Sequence, residues 1–357
     1  MKGLYVHIPF CRRKCFYCDF VSVGYDENFV NKYLTALEKE AEKYKTEKLK
    51  TIYIGGGTPS VLSVYQLDTL ISIIKNNFDV SNICEWSFEA NPESITKEKL
   101  CLLLQSGITR LSFGLQSVFD DRLRILGRLH NYEDFKKVYF LARETGFDNI
   151  NIDLMFGVPE QTIDEWGKTI KEVLYLNPQH ISLYPLTIEE GTVFYKNNVF
   201  VDTDMQAQMY KNTCEILKEN NFEHYEISNW AREQKYSHHN KLYWQNKEYI
   251  GLGAAASSYY KRYRYKNETN ILKYIDETLR GNDTVIEKEF INDDLYNKET
   301  IMLGLRLADG VDIKYFDNKK DILEKYIKQE MLTIKNNRVS FTEHSLFVSN
   351  SILSEFI

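Results

Sequence analysis

Short apolar runs alternate with longer amphipathic stretches through the first two-thirds of the chain. The short runs are rich in β-branched and aromatic residues, which is typical of buried strands, and the longer stretches repeat apolar residues at helical spacing. Alternating units of this kind predict a parallel sheet with helical crossovers. Strands are predicted at 4–8, 51–54, 86–90, 110–113, 149–155, 180–184 and 223–227, and helices at 28–44, 64–76, 97–105, 132–145, 163–175 and 205–219.

Glycine and polar residues follow nearly every predicted strand at its carboxyl end. In a (β/α) barrel the chemistry gathers at the carboxyl ends of several strands, whereas a doubly wound sheet concentrates its ligand contacts at one switch point. Because the candidates are spread over many strand ends, the sequence favours an α/β fold with a partial (β/α) barrel. These candidates are the cysteine loop at 11–18, the glycine turn at 55–58, Glu89, Asn91, Gln116, Asp153 and Tyr184.

The pattern changes after about residue 250, and we place the domain boundary at 260. Residues 261–292 are charged and irregular, and we predict that they form a connector with one helix at 271–279. Residues 293–357 predict a small, mostly helical domain of winged-helix type, so that residues 1–260 form the barrel unit. Within this last domain, helices are predicted at 295–307, 320–328 and 345–357, and a hairpin at 332–341.

The length, net charge and hydropathy of the chain argue against a nucleic-acid-binding or membrane-spanning protein. A chain of 357 residues is long enough for two structural units. The net charge of −6 argues against a general nucleic-acid binder, because neutralising phosphates requires concentrated Lys and Arg. No apolar stretch approaches the ~20 residues of a membrane span, and the amino terminus enters a strand pattern without a leader. We therefore expect a soluble, cytoplasmic protein with no nucleic-acid partner.

Three cysteines on one short loop, Cys11, Cys15 and Cys18, carry the strongest chemical signal. Three thiolates can hold three irons of a [4Fe–4S] cluster and leave the fourth iron open to another ligand. Structural zinc is the weaker alternative, because it needs a fourth ligand, and His7 and His130 stand at spacings unusual for zinc sites. The other cysteines are predicted to be reduced core residues: Cys84, Cys101 and Cys214.

The cysteine loop and a glycine turn resemble the signatures of the radical S-adenosylmethionine (SAM) superfamily. The loop has the spacing C-x3-C-x2-C with Tyr17 before its last cysteine, and the turn reads Gly56-Gly57-Thr58-Pro59. In that superfamily SAM binds the open iron through its amino and carboxylate groups, and the glycine turn borders the amino group. The resemblance therefore implies both a [4Fe–4S] cluster and SAM as cofactors.

The resemblance extends to the oxygen-independent coproporphyrinogen III oxidase family, HemN and its relatives. It runs from residue 2 to about 260, and residues 301–307 look like the start of that family's C-terminal domain. By this resemblance, the residues expected to contact SAM, besides the cysteine loop with Tyr17, are Tyr5, Gly56, Gly57, Thr58, Glu89, Gln116, Arg128 and Asp153.

Three features resemble the HemW branch of that family, the haem chaperones, more than the oxidases. The oxidases carry a further cysteine where this chain has Phe20, and a long segment before the cysteine loop where this chain has ten residues. The third feature is the motif H-N-x-x-Y-W, which that branch links to haem binding. It is formed here by His239, Asn240, Tyr243 and Trp244.

An imidazole can ligate haem iron, and Tyr and Trp offer flat faces to a porphyrin. His239 is thus a candidate axial ligand, and ordinary packing at a domain boundary is the alternative.

The resemblance implies a haem chaperone that passes haem to an acceptor protein. The main alternative is an oxygen-independent coproporphyrinogen III oxidase, which decarboxylates propionate chains by radical chemistry. A third, a radical SAM enzyme on another substrate, leaves the H-N-x-x-Y-W motif unexplained. The sequence names no catalytic residue and leaves enzyme activity open.

Overall fold

A computed structural model describes residues 2–356, with residue 344 described by its backbone alone. One large sheet and its covering helices form the first part of the chain. Its strands and those of a short side ribbon are β1 Gly3–Ile8, β2 Phe10–Cys11, β3 Val23–Gly24, β4 Thr51–Gly56, β5 Glu85–Ala90, β6 Arg110–Gln116, β7 Ile150–Phe156, β8 His180–Pro185, β9 Glu223–Glu226, β10 Asn229–Ala231, β11 Tyr249–Leu252, β12 Ser257–Tyr260, β13 Tyr263–Asn267 and β14 Val285–Phe290. Its helices are α1 Glu27–Ala41, α2 Val64–Asn77, α3 Lys97–Ser106, α4 Asp120–Leu126, α5 Tyr132–Thr145, α6 Ile163–Tyr175, α7 Val193–Lys196, α8 Thr203–Glu219, α9 His238–Trp244 and α10 Ile271–Arg280, with short 3-10 turns at Glu42–Tyr44 and Pro59–Val61.

The strand order confirms the predicted partial barrel. The sheet runs β14-β13-β12-β11-β1-β4-β5-β6-β7-β8-β10-β9, and the strands from β11 to β8 are parallel. Strands β4 to β8 add to β1 one after another, with a helix between each pair, as in a (β/α) barrel. The order ends with β14 on one side and β9 on the other, so the barrel is open.

Along β1, apolar and polar side chains alternate between the two faces of the sheet. Leu4, Val6 and Ile8 are fully buried against the helical layer. Tyr5 and His7 point to the opposite, inner face, because successive strand residues alternate. The barrel interior is therefore lined by polar and aromatic side chains, and the hydrophobic core lies between the sheet and its helices.

The seventh predicted strand is an edge strand and not a further parallel unit. Residues 223–226 form β9, which pairs antiparallel with β10 after the tight turn at Ile227 and Ser228. A two-residue connection can only join antiparallel neighbours, whereas a parallel pair needs a long crossover. The strand itself was predicted correctly, and β9 runs in the same direction as β8, but the prediction missed β10, which lies between them and is antiparallel to both.

The predicted connector at 261–292 contains more regular structure than its sequence indicated. Its helix is present as α10, but β13 and β14 extend the main sheet on either side of it. Strand β14 is exposed and charged along most of its length, which is typical of an edge strand and hides the alternation of a buried one. Buried Glu40 of α1 fixes this extension, because it accepts hydrogen bonds from Asn267 and Tyr274 at 2.6 Å each.

Residues after β14 form a second cluster of elements with its own buried core, which includes Phe316, Val339 and Phe356. The predicted hairpin is confirmed, and the predicted last helix at 345–357 is instead broken into short turns. Ser345 donates to the Met331 carbonyl, as expected where serine side chains compete for backbone groups. The elements are α11 Asp293–Gly304, β15 Val311–Asp312, α12 Lys320–Lys328, β16 Leu332–Lys335, β17 Arg338–Phe341 and α13 Ser349–Leu353, with 3-10 turns at Ile313–Lys319, Glu343–Val348 and Ser354–Phe356.

The division of the chain at 260 and 293 remains a prediction, as does the cytoplasmic location. Within residues 2–356 no helix combines the length and apolar character needed to cross a membrane.

Candidate functional site

The carboxyl ends of the parallel strands surround a cavity of about 290 Å³, here called the rim cavity. Its lining brings together all three predicted cluster cysteines and most of the predicted SAM residues. Those that line it are Cys11, Cys15, Tyr17, Cys18, Gly56, Gly57, Thr58, Glu89, Gln116, Arg128 and Asp153. Residues far apart in sequence meet here because every parallel strand ends at the same rim.

The cysteine loop is fastened to the turn that follows α4. The Arg13 guanidinium donates to the carbonyls of Gly127 and Arg128, at 2.8 and 2.9 Å. The Phe16 amide donates to the Leu126 carbonyl at 3.1 Å, and its ring lies against Gly127. Gly127 has φ +78°, and a Cβ there would stand 3.0 Å from that ring. The loop position therefore depends on a glycine more than a hundred residues away.

A chain of hydrogen bonds joins Cys11 to Cys15 across the rim. The Thr58 hydroxyl donates to Cys11 Sγ at 3.4 Å, and Asn91 Nδ2 donates to the Thr58 hydroxyl at 3.2 Å. Arg128 then donates from Nη2 to Asn91 Oδ1 at 2.7 Å and from Nη1 to Cys15 Sγ at 3.4 Å. Donors at both sulfurs favour the thiolate form, which is the form that ligates iron.

Two glycines of the turn after β4 are required by close contacts. Gly57 lies so near the cysteine loop that a Cβ would stand 2.9 Å from the Phe10 carbonyl and 3.0 Å from Cys11 Sγ. Gly56 has φ +112°, and a Cβ there would stand 2.5 Å from the His7 ring. The glycine signature thus allows the turn to pack directly on the loop that carries the cysteines.

Glu89, at the end of β5, faces the rim cavity as a half-buried carboxyl. Its Oε1 accepts from the Tyr53 hydroxyl at 2.7 Å, and its Oε2 accepts from the Gly56 amide at 3.1 Å. Burial raises its pKa to about 7, and the charge of Asp153 acts in the same direction. The carboxyl has unused acceptor capacity, which suits hydrogen bonds from the hydroxyls of a ligand.

Gln116 and Asp153 complete the far side of the cavity. A register shift between β6 and β7 at Gly114 and Gln116 bends the strand, and Gln116 takes φ +72°. Its buried Oε1 has no hydrogen-bond partner among residues 2–356. Asp153 accepts from Ser112 at 3.1 Å and Asn151 at 2.7 Å, and burial raises its pKa. A bulge that aims an unsatisfied amide oxygen into a cavity fits a bound donor.

The thiols fit a multi-iron cluster better than a single ion. In the described part of the chain, no three His, Cys, Asp or Glu side chains converge on one point as a lone metal ion would require. A cubane presents separate iron corners, so its three cysteines need only share a cavity wall. Burial raises the pKa of Cys11, and raises that of Cys18 to about 11. Loading the site therefore releases protons.

A second cavity of about 740 Å³, here called the lateral cavity, lies on the inner face of the sheet beside β1. Phe20, which is 56% exposed, lines both cavities, so the two adjoin at the cysteine loop. Strands β11 to β13 form its floor, and α9 and α11 close its sides. Its lining residues are Tyr5, His7, Phe20, Val21, Tyr243, Trp244, Tyr249, Ala255, Ser257, Arg264, Lys266, Glu299, Met302 and Leu303.

The structure favours an indirect role for His239, and its role as an axial haem ligand stays a prediction. Its side chain is fully buried, with Nδ1 2.8 Å from the Thr51 hydroxyl and Nε2 2.8 Å from the Tyr243 hydroxyl. Both ring nitrogens are thus engaged, and burial lowers the pKa of the imidazole to about 3. Glu85 accepts from the amides of His238 and His239 and so anchors the start of α9. An imidazole near aromatic side chains indicated a ligand, but only the fold reveals that its nitrogens are used.

Of the other residues of the H-N-x-x-Y-W motif, two line the lateral cavity and one does not. Tyr243 and Trp244 line the lateral cavity, and the Trp244 ring lies 4.6 Å below the Arg306 guanidinium. Asn240 is half-buried and belongs to the lining of neither cavity. Tyr5, predicted to contact SAM, also lines the lateral cavity, with its hydroxyl 2.9 Å from His7 Nδ1.

Two rim residues were missed by the sequence analysis. Tyr53 holds Glu89, and Ser112 holds Asp153. Both stand on inner-face positions of β4 and β6, two residues before Gly55 and Gly114 respectively. Counting back along each strand by the two-residue alternation would have found them.

Comparisons with known proteins agree with this geometry. Residues 5–173 match the radical SAM superfamily. The haem chaperone HemW of Lactococcus lactis is 34% identical over 100% of this chain and 97% of its own length, and that of Bacillus subtilis is 35% identical over 100% and 99%. The solved structure of the coproporphyrinogen III oxidase HemN of Escherichia coli superposes with a TM-score of 0.86 at 22% identity, over 99% of this chain and 89% of that chain.

Replacing Cys15 by Ala is expected to abolish the iron–sulfur chromophore after anaerobic reconstitution, because only two thiolates then remain. Iron and sulfide analysis and the visible spectrum measure the loss. Cys214→Ser and Cys101→Ser are the matched controls, since these thiols lie outside the rim cavity and should leave the iron content unchanged. A full iron complement in Cys15→Ala would contradict the assignment of the three cysteines.

Proposed function

The chain belongs to the HemW family of the radical SAM superfamily, and from this premise we propose that it is a haem chaperone, which binds haem and passes it to an acceptor protein. One observation supports the proposal most. Tyr243 and Trp244, from the motif that the HemW branch links to haem, open onto the lateral cavity, which shares Phe20 with the cavity of the three cysteines. A cavity of about 740 Å³ with aromatic walls thus adjoins the predicted cluster site.

The cofactors follow from the superfamily, and their residues are part of the proposal. Cys11, Cys15 and Cys18 would hold the [4Fe–4S] cluster, which supplies one-electron reduction at its open iron when bound. Gly56, Gly57 and Thr58 would border the amino group of SAM, whereas Glu89 would accept from its ribose. The orphan oxygen of Gln116 and the carboxylate of Asp153 supply further acceptors, and Arg128 holds Cys15 in place.

Oxidative decarboxylation of coproporphyrinogen III is the second candidate function. The likeness to HemN supports a shared fold, and at 22% identity it carries no statement on activity. Phe20 stands where the oxidases carry a further cysteine, and here its ring forms part of the boundary between the two cavities. An apolar ring at that boundary offers no group for proton or electron transfer, which favours the chaperone.

Haemin titration of the anaerobically reconstituted protein tests the proposal. We expect stoichiometric uptake, followed by the Soret band and by native mass. No decarboxylated product should form when coproporphyrinogen III, SAM and a reductant are supplied together. Product formation without stable haem uptake would overturn the proposal and return the chain to the oxidases.

Glu89 is expected to make SAM binding depend on pH. Its pKa of about 7 means that the carboxyl loses its charge as the pH falls from 8 to 6, and SAM affinity should fall about tenfold over that range. Equilibrium binding of SAM at several pH values measures the effect. Glu89→Gln should bind more weakly and lack this tenfold change, while any titration of SAM itself persists in the variant. An unchanged affinity in the native protein would contradict the role of Glu89.

His239→Ala is expected to weaken haem retention about tenfold without moving the Soret band of the haem that stays bound. The reason is indirect, because the substitution removes the hydrogen-bond partner of the Tyr243 hydroxyl, and a polar group left unsatisfied costs about 1–3 kcal/mol where it is buried. His239→Asn, which can keep one hydrogen bond, should recover part of the affinity, and the cluster should be intact in both. A shifted Soret band in His239→Ala would restore His239 as an iron ligand.

A further inference from the structure

We infer that the lateral cavity receives the carboxylate-bearing edge of a planar tetrapyrrole, and that Arg264 and Lys266 are the residues that bind its carboxylates. This inference rests on the proposed haem-chaperone function and extends it. It proposes how the ligand is oriented in the cavity and which residues select it. Both residues lie outside the H-N-x-x-Y-W motif.

Arg264 and Lys266 form a pair of cations on one face of β13. Both line the lateral cavity, and they are two residues apart on one strand. Their Cα atoms are therefore about 7 Å apart, at 3.3–3.4 Å per residue. Two carboxylates carried side by side on one edge of a macrocycle match a pair of donors arranged in this way.

Arg264 is held rigidly with one donor group to spare. Glu299 accepts from its Nε at 2.5 Å and from its Nη2 at 2.9 Å, Asn246 accepts from Nη2 at 2.8 Å, and the Tyr259 ring lies 4.6 Å from the guanidinium. The Tyr249 side chain is a further hydrogen-bond partner of Arg264, so that one of the five N–H donors of the guanidinium stays available among the described residues. A guanidinium whose position is fixed in this way is preorganised to donate to a carboxylate.

Lys266 supplies the uncompensated charge of the cavity. Among the described residues it forms no ion pair, even with Glu287, its cross-strand neighbour on β14. Glu299 is engaged by Arg264, and burial lowers the pKa of His7, so that this lining imidazole is neutral. An unpaired ammonium beside an aromatic wall favours an anionic ligand over a neutral one of the same shape.

The remaining walls suit the flat body of such a ligand. Tyr243, Trp244 and Tyr249 provide aromatic surface on one side, and Phe20 stands at the boundary with the rim cavity. The volume of about 740 Å³ lies within the ~300–1,000 Å³ range of sites for bound organic molecules. Apolar walls with two convergent cations at one end define an orientation, with the carboxylates on β13.

A ligand-by-variant cycle tests the inference with full-length, reconstituted protein. Haemin and haemin dimethyl ester, which lacks both charges, are titrated into the native protein and into Lys266→Met, followed by the Soret band. Iron-free protoporphyrin IX, followed by fluorescence, repeats the comparison without iron ligation. We expect the native protein to prefer haemin over the ester by about tenfold or more, and Lys266→Met to lose most of this preference.

Two further variants make the result decisive. Lys288→Met removes the same charge from β14, outside the cavity, and should keep the native preference. The double variant Arg264→Gln with Glu299→Gln removes the guanidinium without leaving a buried charge unpaired, and should lose the preference as Lys266→Met does. Equal binding of haemin and its ester by the native protein would overturn the inference and leave the chaperone function intact. No haemin binding at all would overturn both.

Discussion

The hydrogen-bond chain from Cys11 through Thr58, Asn91 and Arg128 to Cys15 is the constraint on which the site depends. Each link comes from a different strand end or loop, so the chain forms only when the strands take their places in the barrel. It places hydrogen-bond donors beside two of the three sulfurs, where buried thiolates would otherwise lack compensation. The cysteine spacing alone cannot provide this, because a short loop contains too few residues to build its own surroundings. The sheet thus positions the donors that the cysteine loop needs to hold its thiolates.

The open barrel has a second consequence, which is the lateral cavity. A closed barrel would pair β1 with the last strand, whereas here β1 pairs with β11, and β12 to β14 continue the sheet beyond it. The inner face therefore extends past the rim cavity to a region that α9 and α11 cover. Buried Glu40, bonded to Asn267 and Tyr274, fixes this extension against the helical layer. The open sheet therefore carries two adjoining cavities, the rim cavity and the lateral cavity.

Sequence reasoning worked where the chemistry is local. The cysteine loop, the glycine turn and the polar residues at strand ends could be predicted because each signal lies within a few residues, and the βα alternation gave the barrel. The strand at 223–227 was predicted without its neighbour β10, since composition does not encode which strand pairs with which. The stretch at 261–292 was taken for a connector because an exposed edge strand such as β14 carries charges and not alternating apolar residues. The shared face of Arg264 and Lys266 could not be predicted as part of a cavity, because it depends on the pairing of β13 within the main sheet. The hydrogen bonds of His239 could not be predicted, because its partners Thr51 and Tyr243 contact it only through the tertiary fold.

A row of polar side chains, Glu89, Tyr53, His239 and Tyr243, separates the two cavities. In this row the histidine of the H-N-x-x-Y-W motif has a positioning role. Glu89 at the rim accepts from Tyr53, the Tyr53 ring packs 5.4 Å from the ring of His239, and His239 bonds to Tyr243 in the lateral cavity. Each of these groups is held on both sides, so the position of one restricts the next. Burial keeps the imidazole of His239 neutral and the hydroxyl of Tyr53 protonated, because it lowers the pKa of the first and raises that of the second. Neutral, mutually satisfied groups form a rigid wall, since moving any of them would leave a buried donor or acceptor unpaired. The histidine then serves the lateral cavity by fixing the tyrosine that lines it, and the same wall holds the carboxyl that faces the rim.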